Sequence, residues 1–165
     1  MSEKQIILKC AESSLQQNLR RRLVYTTMTH ILFGSTNRNL SRDFEMNIEK
    51  IEKNGITCAV VHSNEIVIKD VQSALELLIN VLYEAETKNI VIGKELITKE
   101  FFILSTRLAG EILQKYINYG GRIAIYGDFS QYTSKSLKAF IYESQKGKDV
   151  FFASDRDKAI EMLVR

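Results

Sequence analysis

The chain has 165 residues, of which 45% are apolar and 26% charged, and its formal net charge is +3. This composition is ordinary for a globular domain and excludes a disordered or collagen-like chain. No apolar run reaches the roughly 20 residues that span a bilayer, and residues 1–30 lack the apolar segment of a secretory signal.

The two cysteines, Cys10 and Cys58, match neither a disulfide framework nor the spacing of metal ligands. We therefore expect a cytoplasmic protein with reduced thiols and without membrane contact. Neither histidine, His30 or His62, lies in a Cys, His or carboxylate cluster, so no metal or other cofactor is predicted.

The excess positive charge belongs entirely to residues 1–45, which hold seven basic and four acidic side chains. We interpret this segment as a basic, weakly ordered or accessory extension; an arm for nucleic acid or membrane is the alternative. Residues 46–165 carry sixteen side chains of each sign and are expected to form a single domain. Such a neutral body has no net attraction for nucleic acid.

The orderly part of the chain begins with a hairpin. Asn47–Lys53 and Ile56–His62 flank Asn54-Gly55, which is the strongest short signal for a two-residue hairpin turn. The second strand is apolar on both faces, so Cys58 is predicted to be a small core residue. Asp70 then predicts the N-cap of a broadly apolar helix over 70–86.

The central unit reads as strand, polar turn, helix and strand. Asn89–Gly93 is a short apolar strand, and residues 94–106 form the turn. The helix over 107–119 carries an apolar stripe, and residues 120–128 contain the next strand. That stripe is Leu104, Leu108, Ile112 and Tyr116. Gly110 inside this helix suggests close packing, so Gly110→Leu is expected to overpack the core.

The remaining elements are a helix over 134–146, the strand Val150–Ala153, and a last helix opened by Ser154 and Asp157 as a capping box. The complete order is β-β-α-β-α-β-α-β-α. Strands that alternate with helices predict an α/β fold with a mixed, mostly parallel sheet, and each crossover should be right-handed.

Several segments of residues 46–165 resemble a bacterial family that is known only as domain of unknown function 4180. They are Asn54-Gly-Ile-Thr-Cys-Ala-Val-Val61, Asp70-Val-Gln-Ser-Ala74, Leu108-Ala-Gly-Glu-Ile-Leu-Gln-Lys115, Gly127-Asp-Phe-Ser130 and Phe140-Ile-Tyr-Glu-Ser144. The order of elements is also similar to that of STAS domains, the anti-sigma-factor antagonists. The STAS resemblance implies a small cytoplasmic protein that binds a partner and is switched by phosphorylation.

The STAS resemblance directs attention to Ser105, Thr106 and Arg107. The STAS switch is an Asp-Ser-Ser-Gly type motif after the third strand, and Ser105 and Thr106 lie near the corresponding place. The Asp and the Gly of that motif have no counterpart in this sequence. These three residues are the predicted phosphorylation switch or partner-binding site.

A second candidate site follows from the sheet itself, because ligands of parallel sheets bind beyond the carboxyl ends of the strands. Free N–H groups at the helix N-termini there would favour an anion. Helix capping is the alternative explanation for the Ser, Thr and Asp residues in this set. The predicted ligand-binding residues are Lys94, Asp128, Ser130, Thr133, Ser134 and Lys135.

No nucleotide-binding loop and no nucleophile motif occurs in the sequence, and no catalytic residue is predicted. We expect a non-enzymatic regulatory module whose partner is another protein. The alternative is a sensor for a small molecule or anion, or an enzyme, that uses the polar cluster at the strand ends. A deep cavity at that cluster would favour the alternative. The sequence does not indicate an oligomeric state.

Overall fold

The computed structural model describes residues 46–165, so the predicted extension of residues 1–45 lies outside the described residues. The predicted α/β class and element order are confirmed within the described range. The strands are β1 Asn47–Lys53, β2 Ile56–His62, β3 Asn89–Gly93, β4 Arg122–Tyr126 and β5 Val150–Ala153. The helices are α1 Val71–Ala85, α2 Leu108–Asn118, α3 Lys135–Ser144 and α4 Arg156–Leu163. None of these helices is long and apolar enough to cross a membrane.

The five strands form one sheet in the order β1-β2-β3-β4-β5. β1 pairs antiparallel with β2, and every later pair is parallel. The hairpin turn has positive φ at both central residues, 56° at Asn54 and 74° at Gly55. That conformation is the type I′ turn that an Asn-Gly pair favours, so the sequence signal and the backbone agree.

The helices lie unequally on the two faces of the sheet. Each of the three crossovers moves one strand in the same direction, so the right-handed rule predicts that α1, α2 and α3 share a face. Buried residues of these three helices do form one core cluster with the sheet, whereas those of α4 form the other. The side of the sheet that α4 covers therefore has a single helix among the described elements.

Cys58 and Tyr116 are two of the buried residues with a polar side-chain atom, and each is accommodated in the core in a different way. Cys58 is fully buried, and that burial raises the pKa of its thiol, as befits a small core residue. Tyr116 is also fully buried, and its hydroxyl donates a hydrogen bond to the carbonyl of Ala74 at 2.8 Å. This bond joins α2 to α1, and burial raises the pKa of the Tyr116 phenol.

Helix boundaries and orientations differ from expectation at several points. Asp70 caps α1 as predicted, in a capping box with Ser73. Leu82, at a position where the apolar pattern predicts core, is 45% exposed because the buried stripe of α1 is rotated. Leu104 lies in a 3-10 turn before α2, and Asp155 rather than Ser154 caps α4. The aspartate is favoured because its carboxylate accepts the N–H of the residue three positions on.

The prediction for Gly110 was wrong. A Cβ atom at Gly110 would have no heavy atom within 4 Å, and the residue lies on the exposed side of α2. Gly121, after the helix, has the close packing instead. Its Cβ would lie 3.1 Å from Cδ1 of Leu78 and 3.2 Å from the carbonyl oxygen of Tyr116.

These two glycines allow a matched test of the fold. Gly110→Ala should raise the free energy of unfolding by about 1 kcal/mol, because alanine favours helix without a new contact. Gly121→Ala should lower it by about 1–3 kcal/mol, because the backbone carbonyl of Tyr116 cannot move away. Urea unfolding of both variants measures the difference, and a destabilised Gly110→Ala variant would contradict the exposed orientation of Gly110 on α2.

Candidate functional site

An open cleft of about 450 Å³ lies at the carboxyl ends of β2, β3 and β4. Parallel pairing brings these three strand ends to the same edge of the sheet, so residues distant in sequence meet there. Most of the lining side chains are polar. The lining residues are Asn47, Val61, His62, Ser63, Asn64, Gly93, Glu95, Leu96 and Tyr126.

Strand register determines which side chains face the cleft. Asn47 at the start of β1 lies opposite His62 at the end of β2. Gly93 at the end of β3 lies opposite Tyr126 at the end of β4. The cleft is thus built where the hairpin and the parallel strands terminate together.

Gly93 lines the cleft at a point where Glu95 and Tyr126 leave little space for a side chain. A Cβ atom there would lie 3.1 Å from Oε2 of Glu95 and 3.5 Å from Oη of Tyr126. The backbone of Gly93 is extended, with φ −70° and ψ 141°, which any residue can adopt. The missing side chain therefore matters for space, and it leaves a carboxylate and a phenol hydroxyl beside one point.

A hydrogen-bonded chain of three side chains holds the His62 side of the cleft. Oε2 of Glu49 lies 2.9 Å from Nε2 of His62 and accepts a hydrogen bond from Arg156 at 2.9 Å. Glu49 lies on β1 opposite Val60, so it shares a face of the sheet with His62. The bond with His62, followed by the charge of Arg156, lowers the pKa of Glu49. These two side-chain contacts connect β1, β2 and α4.

Lys94 and Asp128, two predicted ligand-binding residues, meet beside the cleft but do not line it. The Lys94 ammonium donates to the carbonyl of Asp128, and it lies 5.8 Å from the ring centroid of Tyr132. The Lys94 stem passes over Gly127, where a Cβ would be 2.7 Å from Cγ of Lys94. Gly127 has a φ of 148°, so a side chain there is excluded both by space and by conformation.

The other predicted ligand-binding residues act in local structure or are exposed. The N–H of Ser130 donates to Oδ1 of Asp128 at 2.8 Å, and this bonding lowers the pKa of the Asp128 carboxyl. Ser134 accepts the N–H of Leu137 at 3.3 Å and caps α3, as the capping alternative predicts. The remaining two, Thr133 and Lys135, are exposed next to this cap.

The predicted switch residues Ser105, Thr106 and Arg107 differ in the hydrogen bonds of their side chains. The hydroxyl of Thr106 donates to carbonyl oxygens of residues 100 and 103, both at 2.8 Å, and accepts the N–H of Leu108 at 3.3 Å. Ser105 is exposed. Arg107 is exposed in the left-handed region with a φ of 63°. All three residues are exposed, and Thr106 differs in that its hydroxyl has a structural role at the start of α2.

Comparison with known proteins identifies a family. Residues 53–163 match the family described as Domain of unknown function (DUF4180). The chain belongs to this family. Searches of curated proteins and of solved structures found no significant match, so the STAS resemblance stays a prediction.

In this DUF4180 domain, the sequence pattern does not reveal His62, Glu95 and Tyr126 as a group. His62 reads as an isolated strand-end side chain, because the hairpin signal says nothing of the β2–β3 pairing. Ligands of parallel sheets bind beyond the carboxyl ends of the strands, and applying this rule to β2 as well as to the later strands would have placed His62 in the site. The contact between Arg156 and Glu49 crosses 107 positions of the chain, and no local signal indicates it.

The DUF4180 cleft offers chemistry suited to holding a polar molecule. Amide, hydroxyl and imidazole groups can donate hydrogen bonds or accept them, and Glu95 adds a carboxylate. Among residues 46–165, no cluster of three His, Cys, Asp or Glu side chains is placed to hold a metal ion.

The hydrogen bonds of Glu49 with His62 and Arg156 predict a pH-dependent contribution to the free energy of unfolding. The three side chains are between 37% and 44% exposed, so Glu49→Gln should cost at most about 1 kcal/mol at pH 7. A lowered folded-state pKa means that this contribution is present above the unfolded pKa of about 4.3 and is lost as the pH falls through the folded pKa. Urea unfolding at several pH values should therefore show that the difference in free energy of unfolding between wild type and Glu49→Gln disappears below about pH 4.

Glu52→Gln is the matched control for this experiment. Glu52 lies on the same strand and is exposed, and it forms no ion pair with any residue in the described range. The free energy of unfolding of Glu52→Gln should equal that of wild type at pH 7. A Glu49→Gln effect equal to the control's, or one that grows towards acid, would contradict the assignment.

The two switch hydroxyls should separate in a stability measurement. Thr106→Val keeps the side-chain shape but removes three hydrogen bonds, so the free energy of unfolding should fall by about 0.5–1.5 kcal/mol. Ser105→Ala should be neutral within about 0.5 kcal/mol, since Ser105 is exposed. A larger loss for Ser105→Ala than for Thr106→Val, measured by urea unfolding, would show that Ser105 is the structural hydroxyl.

Proposed function

We propose that this domain binds a small polar molecule in the cleft at the carboxyl edge of its sheet. The observation that carries the proposal is the cleft itself, whose volume falls within the range of ligand pockets. It lies where parallel sheets place their ligands, and its lining converges from three strand ends. This function is the sensor alternative that the sequence left open, but the cleft is open rather than deep, and none of the predicted ligand-binding residues lines it.

The proposed role is to recognise this small molecule, without chemical conversion, as a cytoplasmic regulatory domain. Two features of the cleft support such binding. The chain from Arg156 through Glu49 orients the His62 ring before any ligand arrives, and orientation of this kind reduces the entropy lost on binding. Because Gly93 has no side chain, the carboxylate of Glu95 and the hydroxyl of Tyr126 can both lie close to the same point of the cleft lining.

A ligand screen with cleft-filling variants tests the proposal. The isotope-labelled full chain is screened against a library of polar metabolites by backbone amide shifts. Bound compounds should shift the amides of cleft residues, and affinity should fall in steps in Gly93→Ala and Gly93→Leu, because added atoms occupy the space beside Glu95 and Tyr126. Gly110→Ala is the control, because it leaves the cleft unchanged.

Two outcomes would contradict the proposed function. One is that no compound shifts the cleft amides. The other is that compounds bind with equal affinity to wild type and to a Gly93→Leu variant whose amide spectrum shows it to be folded.

A second function, binding of another protein, is supported by a different surface. Ile103 is 51% exposed, and it lies in the same exposed segment as Ser105 and Arg107. An exposed branched apolar side chain can bury apolar area against a partner, and phosphorylation of Ser105 would add charge beside it.

Matched variants distinguish this second function. Ile103→Asp or Ser105→Glu should weaken capture of a specific partner by the full chain, whereas Ile117→Asp should not. Ile117, on α2, is comparably exposed at 43%. Equal capture by all three variants would remove the 103–107 surface from consideration.

A further inference from the structure

The cleft has two nearby carboxylates, and they differ in how their charge is compensated. Glu49 contacts both His62 and Arg156 at 2.9 Å, so a cation already lies against it. Glu95 lines the cleft, and no Lys, Arg or His within residues 46–165 forms an ion pair with it. Glu95 is thus the carboxylate whose charge acts on the cleft.

The nearest basic residue in sequence is turned elsewhere. The Lys94 ammonium is bonded to the carbonyl of Asp128, and its stem lies against Gly127. The ammonium also lies 5.8 Å and 6.0 Å from the ring centroids of Tyr132 and Phe129, where the aromatic faces stabilise a cation. These contacts engage the Lys94 ammonium, which forms no ion pair with Glu95.

The position of Glu95 makes its charge available to a ligand. Its Oε2 lies 3.1 Å from the point that a Gly93 side chain would occupy, beside the Tyr126 hydroxyl. Glu95 and Tyr126 both line the cleft, so a cation bound there would lie near both the carboxylate and the phenol hydroxyl.

We propose that the ligand of this cleft is a small hydroxylated amine, with its ammonium group against Glu95 and Tyr126 and its hydroxyl groups towards the amide and hydroxyl side chains. This inference rests on the proposed function. The side chains that would bind the hydroxyl groups are Asn47, His62, Ser63 and Asn64. It differs from the anion that helix N-termini suggested in the sequence.

Three sugars that share the hexose ring but differ in charge test the charge preference. Glucosamine, glucose and glucose 6-phosphate are titrated into the full chain at low salt and about pH 6.5, where an amine of this kind is protonated. Glucosamine should bind about tenfold more tightly than glucose, which corresponds to about 1.4 kcal/mol and lies between the limits for charges in water and near a protein surface. Glucose 6-phosphate should bind least.

Glu95→Gln assigns the preference to one side chain. In this variant, the tenfold advantage of glucosamine over glucose should fall to less than about twofold, because the amide keeps the shape of the side chain but not its charge. Glu111→Gln is the control: Glu111 is an exposed carboxylate on α2 that does not line the cleft. It should leave the advantage intact.

The outcomes separate this inference from the proposed function. If glucose 6-phosphate binds the cleft as tightly as glucosamine, or if the advantage survives Glu95→Gln, the charge inference is overturned and the cleft remains a binding site. If library compounds bind the cleft but none of the three sugars does, the inference is likewise overturned. If nothing in the library shifts the cleft amides, the proposed function fails together with it.

Discussion

The parallel pairing of β2, β3, β4 and β5 is the constraint on which the rest of this structure depends. Parallel strands need helical crossovers, and three crossovers in one direction place three helices on the same face. The same pairing brings all the carboxyl ends to one edge, where backbone pairing stops and side chains face outward. The cleft is a geometrical consequence of that pairing, and loop residues then determine its chemistry.

The antiparallel hairpin brings residues from the beginning of a strand to the edge of the sheet where the parallel strands end. Because β1 runs in the opposite direction, its first residues lie beside the last residue of β2. Asn47 therefore joins the cleft, and Glu49 can contact both His62 and Arg156. An exposed ion pair contributes little to stability, so we interpret this chain of contacts chiefly as a means of fixing the orientation of the imidazole.

Periodicity and turn chemistry predict the fold well because both are local. Asn54-Gly55 and the Asp70 cap act through adjacent backbone groups, and they lie where the sequence placed them. The glycine inside α2 and the apolar pattern of α1 led to wrong positions for Gly110 and Leu82, respectively, because the rotation of a helix about its axis depends on its neighbours. The site was harder still: hydroxyls such as those of Thr106 and Ser134 serve local turns, whereas His62, Glu95 and Tyr126 meet only through the sheet.

A crystal structure of the domain with the tightest-binding polar ligand would test the proposed binding site most directly. We expect ligand density at the carboxyl edge of the sheet, over Gly93 and within hydrogen-bonding distance of Glu95 and Tyr126. The His62 ring should keep its contact with Glu49 in that complex. Ligand density at the 103–107 surface, with the cleft vacant, would contradict a binding site at the sheet edge.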